Sequence, residues 1–221
     1  MVVDETIDTS GAILACAATL LRHRTFEDIT YLDLAEASGV SERTIYRRFP
    51  TRSNLLDALG RWIEEEHFRI AEFHTFAQFR EAVRSRFAAY AAEPAFAFVA
   101  ARGASLSPMG DEQATPMTDA IMVMLHESVP GLNRRDALRI AANARYFASA
   151  QFWARMRTGF DMSGDQTFEA FESAMAQVLP RETKASRAAI SSAVATSWLG
   201  LGLGLSLGLG LGLVIATSDS Q

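Results

Sequence analysis

The chain has 221 residues, 49% of them apolar, with a net charge of −5 and a single cysteine, Cys16. That is enough apolar residue for a small domain plus a larger packed body, and one cysteine excludes an internal disulfide, so a reducing cytoplasm is the expected compartment. The acidic balance excludes a polybasic, non-specific coat for nucleic acid, so any positive surface has to be local.

Residues 1–10 are acidic and lack an apolar h-region, which argues against a signal peptide. Over residues 11–24, Ile13, Cys16, Ala17, Leu20 and Leu21 recur at helical spacing, with basic residues at the end where they complement the helix dipole. Cys16 lies on that inward stripe and reads as a small core hydrophobe. Thr30 is an N-cap with Asp33 three residues on, so a helix begins near Tyr31, with Leu34, Ala35 and Ala37 on its apolar side. Gly39 ends it, being able to take the left-handed conformation without a Cβ penalty, and Val40 plugs the corner. Ser41 then caps a second helix over 42–49, in which Ile45 and Phe49 face inward. Glu42, Arg43, Thr44, Arg47 and Arg48 are left outside, and Pro50 stops the helix. Two helices about a Gly-containing turn, the second with a basic outer face, make a helix-turn-helix sized for the major groove.

The outer face carries the chemistry for reading duplex DNA. Arg43 or Arg47 can bond a guanine edge in bidentate fashion, Thr44 can touch a thymine methyl, and Tyr46, Arg48 and Arg52 suit phosphates. With Thr30, Tyr31 and Glu42 at the helix starts, these form the expected DNA-contact set. Residues 1–60 hold nine acids against six arginines, yet Arg43, Arg47, Arg48 and Arg52 fall within ten residues. The positive charge is therefore concentrated on one helix and its exit.

Residues 10–60 resemble the DNA-binding domain of the TetR family of bacterial transcriptional regulators. Thr30, Asp33, Leu34, Ala35, Ser38, Gly39, Val40, Ser41, Thr44, Ile45, Tyr46, Arg48, Phe49 and Arg52 stand at the family's motif positions. Ser38 replaces an alanine, Arg48 a histidine and Arg52 a lysine, the last two keeping a donor near a phosphate; Thr25 stands before Phe26 where glycine is more common. The resemblance implies a homodimeric repressor on a palindromic double-stranded operator, released by a small-molecule effector.

From Thr51 a long helix is expected to about residue 73, with Leu55, Leu56, Leu59, Trp62, Ile63 and Ile70 inside and Glu64, Glu65 and Glu66 outside. Under the resemblance it is the lever that converts ligand binding into a changed separation of two recognition helices. The remainder to Leu179 reads as successive helices, broken at Pro94, at 107–110, at Pro130-Gly131 and at 159–164. Thr115-Pro116 and the Asn133/Asp136 pair look like helix starts. The last two helices, over 133–158 and 166–179, carry Ile140, Phe147, Trp153, Phe168, Phe171, Met175 and Val178. In the family such a pair packs against its twin as a four-helix dimer interface; an internal core would use the same residues.

A ligand pocket among the body helices would draw its apolar lining from Phe96, Phe98, Met122, Met124, Tyr146, Phe147 and Phe152, and polar anchors from Arg102, His126 and Gln151. The same aromatics and methionines would serve equally as plain core. Catalysis finds no support: the one Gly-x-Ser-x-Gly match, Gly204-Leu-Ser-Leu-Gly208, lies in a Leu-Gly repeat without strand-turn-helix context. His67 and His74 share a helical face but lack further ligands, so no metal site, and no cofactor, is expected.

The C-terminal tail is uncharged over residues 188–218, and residues 199–213 alternate leucine with glycine or serine. Thirty-one uncharged residues exceed the ~20 that span a bilayer, Gly200, Gly204, Gly208 and Gly212 align at four-residue spacing, and Arg181, Lys184 and Arg187 precede them as a positive-inside flank. Against a helix, six glycines each cost about 1 kcal/mol in water. A transmembrane segment over 197–216 and a low-complexity extension both remain open. The expected architecture is all-α: a helix-turn-helix domain over 1–50, a helical regulatory and dimerisation domain over 51–187, and the Leu/Gly tail over 188–221. The expected function is non-enzymatic transcriptional regulation in the cytoplasm, the alternative being a membrane-tethered regulator or interaction protein.

Overall fold

The computed structural model describes residues 9–106 and 111–179, all within the unit Met1–Pro180. The tail and its membrane reading lie outside the described residues. Within them the chain is all-helical, and no helix is long and apolar enough to cross a membrane. The head consists of α1 (Thr9–Leu21), a 3-10 turn (Phe26–Asp28), α2 (Tyr31–Ser38) and α3 (Glu42–Arg48). The expected 11–24 helix is thus shifted towards the N-terminus, and its exit is the 3-10 turn, with Phe26 and Ile29 buried beneath. Cys16 is half-buried beside the Ala37 carbonyl at 3.4 Å.

The boundary expected at residue 50 falls in the turn before α4 (Arg52–Glu66), whose cap Thr51 accepts from the Asn54 N–H. The helix stops at His67 rather than running to residue 73. Phe68 and Phe73 are buried from a non-helical connection, against Tyr90 at 4.7 Å and Phe79 at 4.9 Å between ring centroids. Thr75 then opens α5 (Phe76–Ala92) through a capping box with Gln78, a sequence signal that outweighs continued helix.

After α5 come α6 (Pro94–Leu106), α7 (Asp111–Ser128), α8 (Arg134–Phe147), α9 (Ala150–Gly159) and α10 (Gly164–Val178). Pro116 lies inside α7 rather than at its start. There it removes an intrahelical hydrogen bond instead of occupying a position where none is needed. The helix expected over 133–158 is two helices: Ser149 caps α9 by accepting from the Phe152 N–H at 3.2 Å, and its hydroxyl donates back to the Tyr146 carbonyl at 2.7 Å. Asn133 does cap α8, accepting from Asp136 N–H at 2.9 Å.

The body closes over Phe87, Tyr90, Phe152, Trp153, Phe168 and Phe171, all buried. Within it Arg86 of α5 pairs with Glu64 of α4, and the Tyr90 hydroxyl donates to Glu64 at 3.0 Å. Burial pushes the Tyr90 phenol up to about 12. The head is joined to this body by α4, which packs on α1 and, most extensively, on α6. At the α4–α6 crossing Gly60 and Gly103 face each other: a Cβ on Gly103 would meet the Leu56 carbonyl oxygen at 2.7 Å.

Gly103→Ala is expected to destabilise the fold by about 1–3 kcal/mol, because backbone rather than a flexible side chain has to give way. Gly164→Ala, where an added Cβ meets nothing within 4 Å, is the control and should leave stability nearly unchanged. Urea unfolding of both variants followed by circular dichroism checks the pair.

Candidate nucleic-acid interface

The helix pair α2 and α3 and the turn between them are built from three local devices. Thr30 and Asp33 form a reciprocal capping box: Thr30 Oγ1 accepts from the Asp33 N–H at 3.1 Å, and Asp33 Oδ2 accepts from the Thr30 N–H at 2.6 Å. Gly39 sits at φ 72°, donating its N–H to the Ala35 carbonyl at 2.9 Å. Ser41 caps α3 by accepting from the Thr44 N–H at 3.2 Å. Ile45, fully buried, and Phe49 anchor α3 to the head core.

That orientation leaves Glu42, Arg43, Tyr46, Arg47 and Arg48 exposed, with Thr44 half-buried and its hydroxyl 3.0 Å from that of Ser41. Among the described residues, no carboxylate pairs with Arg43, Arg47 or Arg48. Tyr46 is 53% exposed and meets Tyr31 edge-to-face at 4.4 Å. Three uncommitted guanidiniums and a phenol therefore share one short helix whose other side is locked into the core.

Two members of the expected contact set turn the other way. Tyr31 is buried and donates its hydroxyl to the Phe49 carbonyl at 2.7 Å, fastening the end of α3 to α2. Arg52 bends back under the head, donating to the Ile29 carbonyl at 2.6 Å and to that of Phe26, with its guanidinium 4.2 Å from the Phe26 ring centroid. Its guanidinium is engaged within the head: the Ile29 carbonyl beyond the 3-10 turn takes a donor, the Phe26 carbonyl takes a second one beside the Ile29 N–H, and Arg52 at the start of α4 is within reach of both. Thr30 is likewise occupied by its cap.

Arg24 closes the outer side of the capping box, its Nη1 lying 2.9 Å from Asp33 Oδ1. The Arg24 hydrogen bond, followed by those from the Thr30 side chain and backbone, holds the Asp33 carboxyl well below the usual carboxylate range.

Of the residues expected to line a ligand pocket, Phe98, Arg102 and Gln151 come together. They line a groove of about 600 Å³ with Leu56, Ala154 and Arg155. Met122, His126, Tyr146 and Phe147 do not reach it; Tyr146 and Phe147 instead cluster edge-to-face with Phe152, and His126 is exposed near the end of α7. Phe96 and Met124 are buried core. Of the unexpected members, Ala154, Arg155 and Thr158 had a signal, since they follow Gln151 at helical spacing on α9. His67 and His74 no longer share a helix: His67 ends α4, 3.5 Å from Glu93, and His74 precedes α5.

Comparison with known proteins places this head. Residues 13–59 match the family described as bacterial regulatory proteins, tetR family. The nucleoid occlusion factor SlmA of Shewanella sediminis (strain HAW-EB3) is 38% identical over 65 residues, 29% of this chain and 33% of that protein. SlmA of Shewanella baltica (strain OS155 / ATCC BAA-1091) is 37% identical over the same share, so the chain spans about a third of the curated relatives it matches. A TetR transcriptional regulator from Rhodococcus sp. RHA1 superposes with a TM-score of 0.58 at 15% identity, covering 79% of this chain and 98% of that one, which establishes the shared fold.

Two expectations follow. Stability due to Asp33 is complete above the unfolded carboxylate value of about 3.9 and drains as pH falls toward the lower folded value. Asp33→Asn should therefore melt lower than the parent at neutral pH and lose less on acidification, as thermal melts across a pH series will reveal. Arg52→Gln should lower the melting temperature of the head, followed by circular dichroism without DNA; an unchanged melt would refute its role in holding the head together. The capped helix pair, its exposed basic helix and the match over residues 13–59 identify this part of the chain as a helix-turn-helix domain of the kind described for bacterial regulatory proteins of the tetR family.

Proposed function

We propose that the chain is a homodimeric, sequence-specific repressor of the cytoplasm, released from a pseudo-palindromic operator by a small-molecule ligand. The observation that carries the reading is the trio Arg43, Arg47 and Arg48, exposed and unpaired beside Tyr46 on a helix buried along its opposite side. In this reading α3 lies in the major groove. Arg43 and Arg47 read guanine edges, Thr44 meets a thymine methyl, Glu42 accepts from a cytosine amine, and Tyr46 and Arg48 hold phosphates. Thr30 and Tyr31 act by positioning α2 and α3. Two such heads one DNA turn apart need a two-fold body interface. Leu138, 42% exposed on α8, and Tyr146, 50% exposed at its end, support placing that interface along the last three helices.

A second reading, a regulator tethered through residues 197–216, is supported by the uncharged run and its basic flank. Fractionation of the full chain against a version ending at Arg187 decides it: if both remain in the soluble fraction, the tether is wrong.

Selection of the full chain against a random duplex library should enrich a sequence with two-fold symmetry. On that duplex Arg43→Ala should cost about 1–3 kcal/mol and relax preference at one base position. Arg48→Ala should weaken all sequences alike and reduce the salt slope by about one. Unchanged binding by both variants refutes the assignment of α3, and enrichment without symmetry refutes the dimer.

A further inference from the structure

The groove between α6 and α9 adjoins a second concavity of about 360 Å³ lined by Phe26 and Glu27 of the head and by Arg52 of α4; the two share Leu56 and Arg102. Arg102 is the partition. Its Nη1 donates to the Glu27 carboxylate, so one guanidinium belongs both to the groove and to the head. The contact holds the Glu27 carboxyl below its ordinary range. Both partners are more than half exposed, at 54% and 57%, which makes this a weak pair that a competing anion can take apart. A second pair, Arg22 with Glu93 at 3.4 Å, ties α1 to the turn before α6 and is untouched by the groove.

The larger groove has apolar walls in Leu56, Phe98, Ala101 and Ala154, two guanidiniums in Arg102 and Arg155, and no carboxylate among its lining residues. Apolar walls with convergent cations and no acid select an amphipathic anion, and the volume suits a small molecule. Resting on the regulator reading above, we propose that this groove binds a small amphipathic carboxylate whose headgroup takes Arg102 from Glu27 and so uncouples the head from α6. Groove occupancy and the Arg102–Glu27 contact are mutually exclusive, so each weakens the other by the same factor.

The test is calorimetry of the full chain with decanoate, and with decanol as the uncharged match. Decanoate should bind at least tenfold more tightly than decanol. Glu27→Gln, which frees Arg102, should tighten decanoate about two- to five-fold. Arg102→Gln and Arg155→Gln should each loosen it tenfold or more, with melts confirming that both variants are folded. Equal binding of acid and alcohol, no binding of decanoate, or indifference to Glu27→Gln overturns the proposal. DNA binding by the ligand-free chain is measured alongside. If it is intact while decanoate fails, only the groove assignment falls; if it is absent, the regulator reading falls, whatever the calorimetry gives.

Discussion

The contact on which this architecture depends is the crossing of α4 and α6, where Gly60 and Gly103 let two backbones meet with no side chain between them. Such an approach fixes the position of α4 along α6 tightly, since sliding either helix brings a side chain into the gap. The head hangs from one end of α4 through Thr51 and Arg52, and the body holds the other end through Glu64, paired with Arg86 and hydrogen-bonded by Tyr90. A half-buried charge pair is poor evidence of net stability, but it specifies one seating of the helix, because a shift would leave a charge without its partner. Between those two anchors α4 has little freedom except to tilt about the glycine crossing.

Charge in the head is divided between holding it together and facing outward. Arg22 pairs with Glu93, Arg24 with Asp33, and Arg52 with two backbone carbonyls, which leaves Arg43, Arg47 and Arg48 on α3. An acidic protein thus presents a compact positive face without being basic anywhere else in the head. The acids have corresponding places: Asp33 completes a cap, Glu27 meets Arg102, and Glu42 stands in the first turn of α3, where the helix dipole favours it.

Much of this was legible in the sequence because it is written in local chemistry. Thr30, Ser41 and Asn133 act as the caps their residue types announce, and Gly39 takes the left-handed turn that its position demands. The inward stripe of α3 was legible too, since Ile45 and Phe49 are unambiguous in character. Tyr31 and Arg52 were not, because each joins an apolar body to a polar end and can satisfy that end inward as well as outward. Which direction prevails depends on the carbonyls of Phe49, Phe26 and Ile29, all distant in sequence from the side chain that reaches them. The breaks at His67 and Ser149 are masked in the sequence by apolar periodicity that continues through them, with Phe68, Phe73 and Ala148 all buried, even though the Thr75–Gln78 capping box and the Ser149 cap are local signals. The groove came out partly assembled for the same reason, as an unbroken helix over 133–158 would have mixed the faces of α8 and α9. Nothing in the spacing of Gly60 and Gly103 announces that they touch.

Arg52 bears on how movement can pass through the molecule. It is the first residue of α4, yet its guanidinium is fastened to the segment ahead of α2, while Tyr31 fastens α2 to the close of α3. The 3-10 turn, α2 and α3 are thereby strapped to the root of α4, and α1 packs directly against α4 and α2. A rotation of that helix carries all three head helices round together, so what travels to the far surface is an angle, multiplied by the radius of the head, with no internal joint to absorb it.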